Sequence, residues 1–206
     1  MKVLLINGSP NQNGCTFTAL DEIAKQLAKE GLESEILYLG ANAINDCMAC
    51  GYCSEKDGCV IDDVVNDLAQ KLDQYDGFVF GSPVYYAAPS ARICAFMDRL
   101  FFAHGPKMQC KPASAIVSCR RGGATAAFDR LNKYFTINNM PVVSSQYWNQ
   151  VHGSEPQDVL KDEEGLQTMR TLATNMAWLI KCIDAGKKAG IDKPQYEEHL
   201  WTNFIE

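Results

Sequence analysis

Four cysteines, Cys47, Cys50, Cys53 and Cys59, fall inside the stretch DCMACGYCSEKDGCVIDD, which closes on Asp62 and Asp63. Thiolates ligate soft metals, take part in redox exchange or simply pack, and each use asks for a different arrangement. The CxxCxxC run matches the opening of a ferredoxin ligand set. Four thiolates also suit a closed tetrahedral zinc site, although zinc ligands usually come as two separated pairs. Bare reduced thiols are the third reading. Spacing alone leaves all three open, because it reports reach and not occupancy. The two carboxylates stand where a helical pattern begins, so a cap and a dipole partner are their simpler use, with Asp62 the expected N-cap.

A second group of polar residues is the loop Gly8-Ser9-Pro10-Asn11-Gln12-Asn13-Gly14-Cys15-Thr16, between an apolar run and a helical one. A helix N-terminus presents amide N–H groups and a positive dipole, which suits a phosphate. The spacing is neither GxGxxG nor GxxxxGK[ST], and no basic residue occurs between Lys2 and Lys25, so dinucleotide and ATP fingerprints are both missing. What remains is a mononucleotide phosphate held by backbone amides and the hydroxyls of Ser9, Thr16 and Thr18, or else an ordinary capped turn. The loop Gly81-Ser82-Pro83-Val84-Tyr85-Tyr86-Ala87 offers aromatic surface to a flat heteroaromatic ring, unless its tyrosines are merely exposed. Ser118 to Gly123 adds Gly122 and Gly123, which let the backbone approach such a ring.

The elements that must position these loops are legible as alternation. Apolar runs KVLLIN (2–7), SEILYL (34–39), DGFVFG (76–81), SAIVSC (114–119) and MPVVSS (140–145) read as strands. Helical patterns lie between and after them. TALDEIAKQLAKEG puts Leu20, Ile23, Ala24 and Leu27 on one face, and GLQTMRTLATNMAWLIKCIDAGKKAG makes a long last helix. Strand and helix in alternation predict βαβ units and a parallel sheet, and the continuous apolar strands predict burial on both faces. Ligand loops then gather at the carboxyl ends of the strands.

Composition narrows the function. The chain has 206 residues, 47% hydrophobic and 21% charged, which predicts one domain over 1–206, with the C-terminal helix and tail (158–206) packed on it. A net charge of -6 without a basic run argues against nucleic acid, and no apolar stretch is long enough for a membrane span. Nine cysteines and no export signal point to a reducing, cytoplasmic setting. His104, His152 and His199 are scattered, with no HExxH or GxSxG, so hydrolytic chemistry finds no support. Asp98-Arg99 reads as a helix-end ion pair or subunit contact.

INGSPNQNGCT, the CxxCxxCxxxxxCxxDD run, YDGFVFGSPVYY and the DR of FMDR together resemble the flavodoxin-like NAD(P)H-dependent FMN reductases and their relatives, the iron–sulfur flavoproteins, over residues 2 to about 145. The resemblance implies an α/β flavodoxin-like three-layer sandwich with a five-stranded parallel sheet of order 2-1-3-4-5. It implies FMN, with phosphate on Ser9, Asn11, Asn13, Cys15 and Thr16 and the isoalloxazine ring against Pro83, Val84 and Tyr85. Ser82, Ser118, Gly122 and Gly123 complete the expected cofactor site. Asn11-Gln12 replace the basic residues often found after the loop proline, and Cys15 replaces a polar residue. The quartet Cys47, Cys50, Cys53 and Cys59 would hold a 4Fe-4S cluster or stay bare, since reductases of this type carry similar cysteines without iron. The expected chemistry is hydride transfer from NAD(P)H to flavin and on to a quinone, flavin or nitroaromatic, with no catalytic side chain. An electron carrier between protein partners is the alternative. Tyr86, Trp148 and His152 are the expected substrate pocket, and the aromatic SSQYWNQVHG loop suggests a homodimer or dimer of dimers.

Overall fold

A computed structural model describes residues 1–203. The strands are β1 (Lys2–Asn7), β2 (Glu33–Tyr38), β3 (Gly77–Tyr85), β4 (Ala88–Pro89), β5 (Ala113–Cys119) and β6 (Gln150–His152). The α-helices are α1 (Cys15–Lys29), α2 (Tyr52–Glu55), α3 (Val64–Ala69), α4 (Ala91–Met108), α5 (Ala124–Ile137), α6 (Pro156–Val159) and α7 (Glu163–Lys188). The main sheet is parallel and ordered β2-β1-β3-β5-β6, and β4 folds back on β3 as an antiparallel sixth strand. Five parallel strands in the expected order are thus extended by one short hairpin.

Alternation along each strand explains the three layers. Leu4, Ile6, Phe78 and Phe80 point into one core with α3, α4 and α5, while Val3, Leu5 and Val79 point into the other with α1 and α7. Leu20, Ile23 and Leu27 of α1 are fully buried, as their helical spacing requires, and Ala24 flanks them half-buried. Both faces of the sheet are covered, which is why its strands read as unbroken apolar runs.

Four expectations are corrected. MPVVSS is not the fifth strand: Val142 makes a single bridge to Ala113, and the edge strand is Gln150–His152. Pro141 has no N–H to give a ladder, and side chains take over, with Ser114 Oγ donating to the Val143 carbonyl at 2.9 Å and Asn149 Nδ2 to the Ala115 carbonyl at 3.1 Å. The cap of α3 is Asp63, whose carboxylate accepts from Val65 N–H at 3.0 Å, and not Asp62. Asp98 and Arg99 lie inside α4 and not at its end. The segment after Gly190 is exposed rather than packed down, Leu200 being 84% and Trp201 88% exposed, although the Tyr196 hydroxyl lies 3.8 Å from Cys110 Sγ; 204–206 lie outside the described residues.

His104 of α4 is buried, and neither ring nitrogen has a hydrogen bond among the described residues. Burial holds its pKa below 6.5, Lys107 lowers it further, and Asp57, 3.8 Å away, opposes both. Above pH 6.5 the ring is neutral in folded and unfolded chains alike. Below it the unfolded chain takes a proton that the folded chain refuses, so stability falls as pH drops toward the folded value, by at most about 1.4 kcal/mol per pH unit. Urea unfolding on the two sides of this window should show a steeper acid loss in the wild type than in His104→Leu. Equal slopes would contradict the buried neutral ring.

Candidate functional site at the carboxyl edge and along helix α4

The loop from β1 to α1 is built by its own backbone and by side chains that sequence reading passed over. Asn7, fully buried at the end of β1, accepts from Ser9 N–H at 3.1 Å and donates to the Gln12 carbonyl at 3.0 Å. Ser9 Oγ accepts from Asn11 N–H at 3.1 Å, and the Tyr38 hydroxyl donates to the Pro10 carbonyl at 2.7 Å. A polar residue closing an apolar strand was the available signal for Asn7. The loop tip, Asn11 to Asn13, is left exposed. Gly14 is the N-cap of α1, and no side chain caps it. The end of a fifteen-residue helix therefore faces outward with its dipole uncompensated by a side chain.

Thr16 is placed differently from the expectation. Its hydroxyl is buried and pairs with Ser118 Oγ at 2.8 Å, tying α1 to β5. Thr18 donates to the Gly14 carbonyl at 3.3 Å, and Cys15 Sγ contacts the Gly153 carbonyl at 3.6 Å, with burial pushing the Cys15 thiol pKa up. These side chains brace the cradle. Ser82 is likewise engaged, donating to the Pro83 carbonyl at 2.8 Å and accepting from Ser90 N–H at 2.9 Å. Ser90 then caps α4 and donates to the Gly8 carbonyl at 2.8 Å, so one serine joins two loops.

The second loop leaves a platform beside the first. Pro83 and Val84 are half-buried and Tyr85 is 47% exposed. Tyr86 and Ala87 follow with φ of 50° and 60°, forming the left-handed turn between β3 and β4, and Tyr86 projects fully into solvent. The third loop closes on this turn at Gly123, where φ is 89° and an added Cβ would lie 2.9 Å from Ala87 Cα. Arg120 and Arg121, beside it, are exposed and supply the positive charge that the first loop lacks. An uncapped helix end, a half-buried apolar platform and a close backbone approach lie on this one edge, and their chemistry suits a phosphate and a flat ring.

His152 reaches the carboxyl edge at the end of β6, its N–H donating to Asp162 at 2.7 Å. Trp148 does not. It precedes β6, and its ring lies 4.8 Å from that of Tyr147, tilted by 60°. His152 lines a hollow with Tyr147, Gln150 and Asp162.

The cysteine loop leaves the carboxyl end of β2 and lies along α4. Cys47, Cys50, Cys53 and Cys59 all line one small hollow of about 30 Å³, whose other walls include Met48, Ile61, Phe102 and Ala103. All four are free thiols, Cys47 and Cys50 exposed and the other two half-buried. Among the described residues no three His, Cys, Asp or Glu side chains gather tightly enough to hold a single metal ion. A zinc ion would need four sulfurs within about 2.3 Å of one point. Four thiols lining one hollow are the donor chemistry that an iron–sulfur cluster takes.

The model of the family described as NADPH-dependent FMN reductase matches residues 1–155. An iron–sulfur flavoprotein of Methanocaldococcus jannaschii is 32% identical over 191 residues, covering 89% of this chain and 99% of the relative. An iron–sulfur flavoprotein of Methanosarcina thermophila is 26% identical, covering 91% of this chain and 99% of its own. Among solved structures, RosB with a bound intermediate aligns with a TM-score of 0.69 at 14% identity, over 100% of this chain and 92% of that one. A flavodoxin from the domain Archaea aligns at 0.61 and 15%, over 88% and 99%. The two structures establish the fold, and among the described residues no helix is long and apolar enough to cross a membrane. With the edge geometry, the family match and the full-length relatives in agreement, the chain belongs to the flavodoxin-like NADPH-dependent FMN reductase and iron–sulfur flavoprotein family, and it is a flavin-dependent oxidoreductase.

Proposed function

We propose that the protein binds FMN in the carboxyl-edge cradle and uses it to move electrons from NAD(P)H to a small acceptor such as a quinone, a free flavin or a nitroaromatic. The observation that carries this reading is the α1 N-terminus without a side-chain cap, set beside the half-buried platform of Pro83, Val84 and Tyr85. FMN supplies the hydride and electron chemistry when bound. The chain's own residues orient it: the Ser9–Asn13 loop receives the phosphate at the helix end, Arg120 and Arg121 offset its charge, and the Gly123 backbone closes on the ring platform. The open side next to Tyr86 leaves room for a substrate to stack. Steady-state oxidation of NADH or NADPH in the presence of a quinone tests this. Turnover that requires both bound FMN and the acceptor is expected, whereas an FMN-loaded protein that oxidises neither nucleotide would overturn the reductase reading.

The hollow among the four cysteines favours a second reading, in which the same protein also holds a 4Fe-4S cluster and relays single electrons between protein partners. Reduction by a one-electron donor protein, without NAD(P)H turnover, would select it. Homodimers or dimers of dimers remain part of the proposal, with the half-exposed Tyr147–Trp148 pair on the sheet edge as contact surface.

A further inference from the structure

Arg99 is 1% exposed, the largest fully buried side chain among the described residues, and every donor it has serves one segment. Nε donates to Cys59 Sγ at 3.3 Å. Nη1 donates to Asp63 Oδ2 at 2.6 Å and to the Asn45 carbonyl at 3.4 Å. Nη2 donates to Asp63 Oδ1 at 2.9 Å and to the Ile61 carbonyl at 2.8 Å. A guanidinium has five N–H groups, and these contacts use all of them on residues between 45 and 63. Removing such a group from water is costly unless each donor is met, so the cysteine loop and the arginine are matched parts. Burial pulls the guanidinium pKa down, but the bonds to Asp63 and Cys59 raise it overall, and the group stays charged.

Other residues of α4 grip the same loop. Arg92 donates to the carbonyls of Gly40 and, at 2.9 Å, Ala41, while Lys107 reaches the Asp57 carboxylate at 3.3 Å. Positions 92, 99 and 107 are seven and eight residues apart, about two helical turns each, so they share one face. The loop is pinned at its start, its middle and its far side. Of these three residues only Arg99 touches a sulfur.

We propose that Arg99 is the positioning residue of the cysteine site: its guanidinium fixes both flanks of the loop and donates to Cys59 Sγ, so that a cluster held there is easier to reduce. The proposal rests on the reading that the four thiols hold iron and sulfide. Reduction adds one negative charge, and a buried cation with an N–H aimed at a ligand sulfur stabilises the more negative state more. This gives the DR motif of α4 a role that neither FMN binding nor a helix-end ion pair explains.

The test compares wild-type protein, R99K, R99Q and R92Q, each reconstituted anaerobically with ferrous iron and sulfide, by iron and FMN content and by redox titration of the cluster. R99Q should keep FMN, and its cluster reduction should become less favourable by about tenfold or more, which is 59 mV for one electron. R99K, which keeps the charge but not the planar fork, should fall between R99Q and wild type. R92Q should leave the potential unmoved. If R99Q does not load iron, R99K decides, and a wild-type potential in R99K overturns the proposal. An iron-loaded R99Q with an unchanged potential also overturns it. A wild-type protein that takes up no iron removes the cluster reading, and the proposal with it.

Discussion

Replacing Gly8 by valine is expected to weaken FMN binding by about 100-fold or more, corresponding to about 2.7 kcal/mol at the usual 1.4 kcal/mol per decade. A Cβ at this position would lie 2.6 Å from Ile93 Cδ1, 2.7 Å from Ile93 Cβ and 3.0 Å from the Gly81 carbonyl. The residue cannot retreat easily. Its N–H donates to the Gly81 carbonyl at 2.9 Å and its own carbonyl accepts from Ser90 Oγ at 2.8 Å. Overpacking of about 1–3 kcal/mol must therefore be relieved by moving the phosphate loop away from β3 and α4. Gly186, near the end of α7, where an added Cβ comes no nearer than 3.8 Å to Ile191, supplies the control, and Gly186→Ala should bind FMN as the wild type does. Fluorescence titration of flavin-free protein measures both. A Gly8→Val affinity within about threefold of wild type would place the phosphate elsewhere.

Cys50→Ser should abolish iron binding while leaving FMN in place. Cys50 is exposed on the rim of the hollow, so its replacement creates no cavity and disturbs no packed neighbour. A hydroxyl does not replace a soft thiolate as a ligand, and a four-cysteine cluster loses a required ligand with it. The FMN cradle is formed by different segments, Gly8–Thr16, Gly81–Ala87 and Ser118–Gly123, none of which lies in the cysteine loop. Iron and flavin assays on the same sample separate the outcomes. Full iron content in Cys50→Ser would exclude a cluster held by all four thiols, and joint loss of iron and FMN would show that the loop supports the fold at the cradle.

What was legible in the sequence follows from the range of the forces involved. β1, β3 and β5 were readable because both faces are buried and their residues are almost all apolar or small. β2, a half-exposed edge strand, was readable only from its apolar half, Ile36, Leu37 and Tyr38. The opposite edge strand was not, since Gln150–His152 has only three residues and the more apolar MPVVSS beside it carries a proline that prevents a ladder. The two edge loops were identifiable by their glycines, hydroxyls and tyrosines. The partners of individual side chains were hidden: Thr16 meets Ser118, 102 residues away, instead of facing outward. Arg99 looked like half of an ion pair with its neighbour Asp98, yet its acceptors lie 36 to 54 residues upstream. Helical spacing shows which face a side chain shares, but not which loop is laid across that face.

Anaerobic purification, followed by acid release and chromatographic identification of the flavin, tests the central claim most directly. The account predicts about one FMN per chain, lost from Gly8→Val and retained by Gly186→Ala and Cys50→Ser. Protein that contains no flavin and takes up none from added FMN would contradict it, as would FMN bound equally well by Gly8→Val.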